Sequence, residues 1–421
     1  MTYRKPLADH PAPSHASTTS ARSSTANNND PHPGNDSVPE PDRLATAHAP
    51  GAFAPPAHPP APVAEAIRRL MSRAGTPGLS IAVTRHDRLL YADGYGYADL
   101  AMGRPARPDT AYLWFSMSKI VTATAALVLA ETGDVDLDAP IDHYLPGDLL
   151  PHWRGPLPRV RHLLNHTAGF GNPPPIRWVH PATASPPDPQ QFLRGRLRHT
   201  RRRHPIGGRA HYSNLGYLVL GQVLAAAAHR PFTELATEIV LRPAGMTHSS
   251  YTGTGNELMA TGYIRLPRLT GPALHDALRL ALPPGIVGPR HGTYQSFHPF
   301  LVDGPGYGGV VGDVLDAARL AALHLGDGTI DGCRLISRDA AQSMRRITTP
   351  GRPFDLGLGW FRRAAARDQT PGYVEHLGSG GGFNNAIRIY PDLDLGVAIM
   401  TNGTKAVDHD RICAAITSFA T

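Results

Sequence analysis

WFSMSKIVTATAALVLAETG, residues 114–133, contains Lys119, one of only three lysines in a chain of 421 residues. The others are Lys5 and Lys405, and the rest of the 41 basic residues are arginine. Residues 117–132 predict a strong helix, stopped by Gly133. Ser116 sits where that helix starts, and there the free N–H groups and the helix dipole favour negative charge on an alkoxide or oxyanion. Lys119 follows one turn later on the same face. A serine hydroxyl is a poor nucleophile until a base takes its proton. Lysine can be that base when burial lowers its pKa, whereas arginine cannot, because its pKa stays above about 12. This is a physical reason for a lysine in an arginine-dominated chain. Ser118, one residue from Lys119, projects away from the lysine's face and is not the candidate nucleophile. The competing structural reading is an N-cap serine beside a snorkelling lysine.

Two further stretches weigh against that reading. HYSNLGYLVLG (211–221) places Tyr212, Ser213 and Asn214 at the opening of a helix. A tyrosine near a lysine can share its proton, and an asparagine offers both a donor and an acceptor. In EHLGSGGGFNNAIRIYP (375–391), His376 and Gly378 precede a glycine cluster and a strand. Glycines let a backbone approach a ligand closely, where a main-chain N–H can face an oxyanion.

Around these motifs the chain predicts a large globular body. Hydrophobic residues make up 41% and charged residues 18%. Residues 1–60 are rich in Pro, Ser, Thr, Asn and Ala and predict a disordered tail. Order is expected from 61 to 421. Val63, Ile67, Leu70 and Met71 make one helical stripe, and residues 79–99 read as two strands around a turn at His86–Asp87. Helices are expected at 160–166, 212–229, 231–241, 312–326 and 405–420, and strands at 357–364, 385–391 and 395–402. Strands and a helix at both ends, with a mostly helical stretch over roughly 134–305, predict an α+β fold. One sheet is then built from both chain ends and carries a helical insertion, rather than a βαβ parallel sheet.

Several function classes are disfavoured. Net charge is +7, and LRGRLRHTRRRHPIGGR (193–209) has seven arginines, but no nucleic-acid-binding motif or interleaved aromatics accompany them. The run reads as a solvated loop or a rim that attracts anionic substrates. No apolar run reaches the roughly 18 residues of a membrane helix, and the N-terminal residues show no secretory apolar core. Together with only two cysteines, Cys333 and Cys413, this gives an expectation of a cytoplasmic protein without a disulfide framework. His162 and His166 have zinc-ligand spacing, but no glutamate follows His162. The nearest approach to a nucleophile elbow, Gly78-Leu-Ser80-Ile-Ala82, lacks its second glycine.

Taken in order, the three motifs resemble the serine β-lactamase and penicillin-binding-protein superfamily, on its class C β-lactamase-like branch. TPGLSIAV (76–83), DTAYLWFSMSK (109–119), VRHLLNHTAGF (160–170), YSNLGYLVLG (212–221), MATGY (259–263), GYGGVVGDVLDAARL (306–320) and MTNGT (400–404) read like its landmarks in sequence. The resemblance implies an antiparallel sheet flanked by helices, with a helical lobe and the site between them. It implies that Ser116 becomes acylated and that Lys119 and Tyr212 act together as base and then acid. Asn214 would position the substrate, His376 and Gly378 would line the far wall, and the N–H groups of Ser116 and Ser379 would form the oxyanion hole. It calls for no cofactor and no metal. Where the lactamases' third motif usually begins with lysine, this chain has His376, as in the family's esterases, acyltransferases and D-amino-acid peptidases. The implied substrate is a small ester, amide or peptide, with an esterase-like acyl hydrolase as the first expectation. The alternatives are a D-amino-acid peptidase or amidase, a β-lactam hydrolase, an acyltransferase or peptide cyclase, and a non-catalytic binding module. The segments 171–190 and 265–300 are expected to shape the pocket. If Lys119 is the base, Lys119→Arg should lower turnover nearly as far as Ser116→Ala despite keeping the charge, and a wild-type rate in this variant would exclude the base role.

Overall fold

The computed structural model describes residues 58–150, 153–198, 200–253 and 258–420. The expected tail, 1–60, therefore lies outside the described residues apart from His58–Pro60. Helix α1 (Ala61–Ala74) buries Val63, Ile67, Leu70 and Met71 as one stripe and ends at Gly75, whose φ of 67° suits a glycine cap. Strands β1 (Gly78–Arg85) and β2 (Arg88–Asp99) form the expected hairpin.

The central sheet is antiparallel and joins the two ends of the chain. Its strands are β1, β2, β3 (Arg104–Pro105), β4 (Phe354–Leu356), β5 (Phe361–Arg363), β6 (Val374–Gly380), β7 (Phe383–Tyr390) and β8 (Leu395–Thr401). They lie in the order β4-β5-β6-β7-β8-β1-β2-β3. The join is β1 against β8, with Ile81 opposite Ile399 and Val83 opposite Val397. Leu79, Ile81 and Val83 face a layer made by α1 and the C-terminal helix His409–Ala420. Ala82 faces the opposite, larger core, because side chains alternate across a strand. This is the expected α+β layout, one antiparallel sheet built from both chain ends.

In that larger core lies helix α2 (Ser118–Thr132), buried on nearly every side from Ser118 to Leu127. Such all-round burial marks a central rather than a surface helix. Helix α3 (Asn214–Ala227) packs on it, with the short turn Pro305–Gly308 wedged between them. A Cβ on Gly306 would lie 2.7 Å from the Tyr217 carbonyl oxygen, so only glycine allows the turn to sit there. The inserted stretch contains strands as well as helices. Tyr263–Arg265, Tyr294–Phe297 and Val287–His291 form a small antiparallel sheet, and Val179–Pro181 pairs with Phe300–Val302.

Two strand expectations change in detail. Of the strand expected at 357–364 only β5 (361–363) forms, and 357–360 is instead a turn joining β4 to β5, because Gly359 (φ 80°) tucks against Ala123 and the Lys119 carbonyl. The first glycines of the cluster expected to precede a strand lie within a strand themselves, β6. Glycine weakens strand propensity, and here pairing with β7 overrides it.

β6 also carries Glu375, which is fully buried and accepts hydrogen bonds from Arg388 Nη2 (2.6 Å) and Arg363 Nε (2.8 Å). Arg388 is itself buried and reaches Asp410 of the C-terminal helix at 2.7 Å, tying that helix to the sheet. Glu375→Ala would leave Arg388 buried without its main partner. It should lower unfolding stability by about 3–5 kcal/mol, read from the urea midpoint.

Candidate active site

Ser116 lies in a short 3-10 turn, Phe115–Met117, that leads straight into α2. Phe115 has a φ of 47°, a left-handed conformation that costs a bulky residue about 1–3 kcal/mol. The strain is held from several sides. Trp114 donates its N–H to Val310 O at 2.9 Å, and the Phe115 ring packs against Phe383 and Phe300 at 6.1 and 6.3 Å. β6 runs directly against the turn. A Cβ on Gly378 would stand 2.0 Å from Trp114 O, and one on Gly380 would stand 2.1 Å from the Phe115 ring. Two glycines at alternate positions thus let β6 lie against the serine turn, Gly378 on the Trp114 carbonyl and Gly380 on the Phe115 ring.

Lys119 is fully buried, with Nζ 3.0 Å from Ser116 Oγ, 2.9 Å from Asn214 Oδ1 and 2.8 Å from the Tyr307 carbonyl. Burial with no carboxylate partner pushes its pKa well below the usual lysine value. A neutral amine has two N–H donors and one lone pair. The carbonyl of Tyr307 and the amide oxygen of Asn214 can only accept, so they take both hydrogens. The lone pair is then left for the Ser116 hydroxyl. The rings of Tyr212, Tyr307 and Tyr217 surround the amine at 5.0, 5.3 and 5.5 Å.

Tyr212 precedes Ser213, which caps α3 by accepting from Gly216 N at 3.1 Å. The Tyr212 hydroxyl is hydrogen-bonded to Ser116, and burial raises its pKa above the ordinary tyrosine value. Its ring stacks on His166 at 4.5 Å, and His166 stacks in turn on Tyr217 at 4.9 Å. His166 Nδ1 accepts from Ser213 N at 3.0 Å, so the start of α3 and the Tyr212 ring are fixed by one imidazole. Burial holds His166 well below its ordinary pKa.

His376 and Gly378, expected on the far wall, are not among the residues that line the cavity at Ser116. His376 is 1% exposed, its Nδ1–H donates to Leu377 O at 2.8 Å, and its ring sits 4.6 Å from Phe361 and 6.1 Å from Tyr212. Burial pushes it down to about 3, so it is neutral. Its relation to the site runs through Tyr212. Gly378 supports the serine turn rather than the wall.

The cavity itself measures about 460 Å³ and opens on Ser116, Asn214 and Ser379. Its walls are largely aliphatic and aromatic: Ile176, Val179, Leu278, Leu282, Ile286, Phe297, Phe300 and Tyr307 among them. All of these but Tyr307 come from the two segments expected to shape the pocket. No arginine of the run 194–209 lines it. Arg194 pairs with Asp148, and Arg196 lies over Phe192 and Trp178. Ser118 points away from Lys119, with its Oγ accepting Val310 N at 3.1 Å.

Three contributors were not singled out in the sequence. The Tyr307 carbonyl is main chain and leaves no side-chain signal, although the glycine run around it (304–309) hints at close packing. Phe115 strain and the His166 stack are tertiary. The zinc-spaced pair is otherwise engaged, since His162 Nδ1 accepts from Arg159 N at 3.1 Å. Among the described residues His248, Asp313 and Asp316 bring ligand atoms within 4.8 Å of one another. Asp313 already caps helix Val314–Leu325 through Asp316 N and binds His248 Nδ1, so these groups are used structurally.

A sheet built from both chain ends, with a buried lysine against a serine at the head of its core helix, defines a serine hydrolase of the β-lactamase and penicillin-binding-protein type. Residues 63–418 match the Beta-lactamase family model, and the chain belongs to that family. It is 28% identical over 354 residues to esterase EstB of Burkholderia gladioli, covering 77% of this chain and 86% of the relative. It is 25% identical over 338 residues to the D-alanyl-D-alanine-carboxypeptidase/endopeptidase AmpH of Escherichia coli K12, covering 77% and 79%. In structure it resembles the octameric penicillin-binding-protein homologue of Pyrococcus abyssi, with a TM-score of 0.69 at 21% identity over 85% of this chain and 76% of that one. Among the described residues no helix is long and apolar enough to cross a membrane.

Lys119 can accept a proton only when neutral, and its pKa is depressed, so ester hydrolysis should fall as pH drops through that depressed value. Tyr212, raised, stays protonated on the alkaline side. Burial holds His376 down to about 3, so its ring is already neutral near neutral pH. His376→Gln should therefore leave the acid limb of kcat/KM in place, and a limb that vanished in this variant would transfer the titration to the histidine.

Proposed function

We propose that residues 61–421 form a hydrolase domain that cleaves carboxylic esters through a Ser116 acyl-enzyme. The observation that carries this reading is the bonding of Lys119, whose two acceptors leave its lone pair on the Ser116 hydroxyl. In the proposed reaction neutral Lys119 takes the Ser116 proton as Oγ attacks the carbonyl carbon. The N–H groups of Ser116 and Ser379 hold the oxygen as it becomes negative, in a turn and strand kept rigid by the Phe115 and Gly378 packing. Tyr212 remains protonated and passes a proton to the leaving oxygen as the ester C–O bond breaks. Lys119 returns a proton to Tyr212. Water then adds to the acyl carbon, with the same pair taking and returning its proton, and the acid leaves. Asn214 holds Lys119 through Oδ1 and presents its N–H₂ to the cavity.

The cavity favours an ester with an apolar acyl group, because its walls are aliphatic and aromatic and carry no charged side chain among the lining residues. EstB, an esterase by name, is a relative in accord with this reading. The test is intact-protein mass after brief exposure to a fluorophosphonate, a short p-nitrophenyl ester and a β-lactam, for wild type and Ser116→Ala. A single adduct absent from the variant, with turnover of the ester, is expected. A folded wild type that forms no adduct would defeat the reading, and turnover of the lactam alone would replace it with lactam hydrolysis.

A further inference from the structure

The cavity at Ser116 adjoins a second one of about 700 Å³, and the two share Ile264 and Thr404 as wall residues. The second is strongly basic. Arg265, Arg268 and Lys405 line it, and no aspartate or glutamate does. Elsewhere arginines are commonly paired, as Arg161 is with Asp138, Arg230 with Glu238 and Arg367 with Asp355. Among the described residues none of these three cations forms an ion pair with a carboxylate. Like charges gathered in one concavity repel unless an anion joins them, and the same concavity raises the local concentration of anions.

The basic wall is built onto the site. Arg265 ends the strand Tyr263–Arg265, and its side chain lies against Gly75, where a Cβ would stand 2.8 Å from Nη1. Thr404 Oγ1 accepts from Gly382 N at 3.0 Å and donates to Tyr263 O at 3.3 Å. Thr404 thus ties Lys405 both to the strand bearing Ile264 and Arg265 and to the glycine turn after Ser379. An ester has two parts. The apolar cavity suits the acyl part, and the neighbouring cations suit a charged remainder.

We infer that the leaving part of the substrate carries an anionic group, a carboxylate or a phosphate, held by Arg265, Arg268 and Lys405. This rests on the ester-hydrolase reading above. The scissile bond then spans from the apolar cavity towards the basic one, past Thr404.

The test compares kcat/KM for butyrate esters of 4-hydroxybenzoate, of 4-hydroxyphenyl phosphate and of the neutral 4-hydroxybenzamide, in wild type and in the triple variant Arg265→Gln, Arg268→Gln, Lys405→Gln. A second pair places the charge in the acyl part: mono-4-nitrophenyl glutarate against 4-nitrophenyl butyrate. The ratio of charged to neutral leaving part should fall by about tenfold in the variant, mainly through KM, and should shrink in wild type as salt is raised. The better of the carboxylate and phosphate esters identifies the group. A ratio unchanged by the triple variant, with the neutral ester still hydrolysed, would overturn the anion subsite and leave the ester-hydrolase reading standing. Discrimination confined to the glutarate pair would overturn the assignment to the leaving part. If a folded wild type turned over none of these esters and took no fluorophosphonate adduct, the ester-hydrolase reading itself would fail.

Discussion

A primary amine buried without a counter-ion is the constraint on which the site depends. Burial alone would make Lys119 a liability, since an ammonium in a low-dielectric interior is costly to maintain. The fold meets that cost by giving the amine two acceptors, Asn214 Oδ1 and the Tyr307 carbonyl, and no carboxylate. A carboxylate there would have restored the positive charge and removed the lone pair. The surrounding tyrosine rings add apolar bulk and exclude water. What results is an amine whose free energy is set to favour neutrality and whose remaining direction is Ser116.

The second requirement is approach. A strand that presents an N–H to an oxyanion must come close to the turn that presents the serine. Gly378 and Gly380 make that contact possible on β6, while Gly306 lets the Tyr307 carbonyl reach Lys119 from the other side. Glycines on separate strands and turns therefore do one job: they remove side chains where three backbones converge. Phe115 completes the arrangement, because its left-handed geometry turns Ser116 out of the helix and towards the cavity. The sheet that anchors these pieces closes only when the first and last thirds of the chain pair, β1 against β8, so the site exists only in the fully assembled domain.

Around that fixed centre the insertion supplies selectivity. Leu278, Leu282, Ile286 and Phe297 come from a stretch with its own small sheet and helix, and they make the cavity apolar. His376 is buried and neutral and is not among the residues that line the cavity.

Much of this was legible in one dimension. Lys119 in an arginine-rich chain, three residues after a serine and at a helix start, pointed to a base because arginine cannot lose its proton. The stripe of Val63, Ile67, Leu70 and Met71, the hairpin at 79–99 and the late strands followed from periodicity, which the local chain dictates. So did the class of fold, because strands at both ends must share a sheet to bury their faces. Other features depended on contacts between residues far apart in sequence. β6 is a strand because β7 pairs with it, against the propensity of its own glycines. His376 is neutral and withdrawn because Phe361 and Tyr212 cover it, and His166 matters because two tyrosines lie on its faces. The direction of the Lys119 lone pair is set by a carbonyl 188 residues away. Residue type determined which chemistry was available to this protein. Only the tertiary structure decided where burial would make it operate, because pKa and access depend on what surrounds a group and not on its neighbours along the chain.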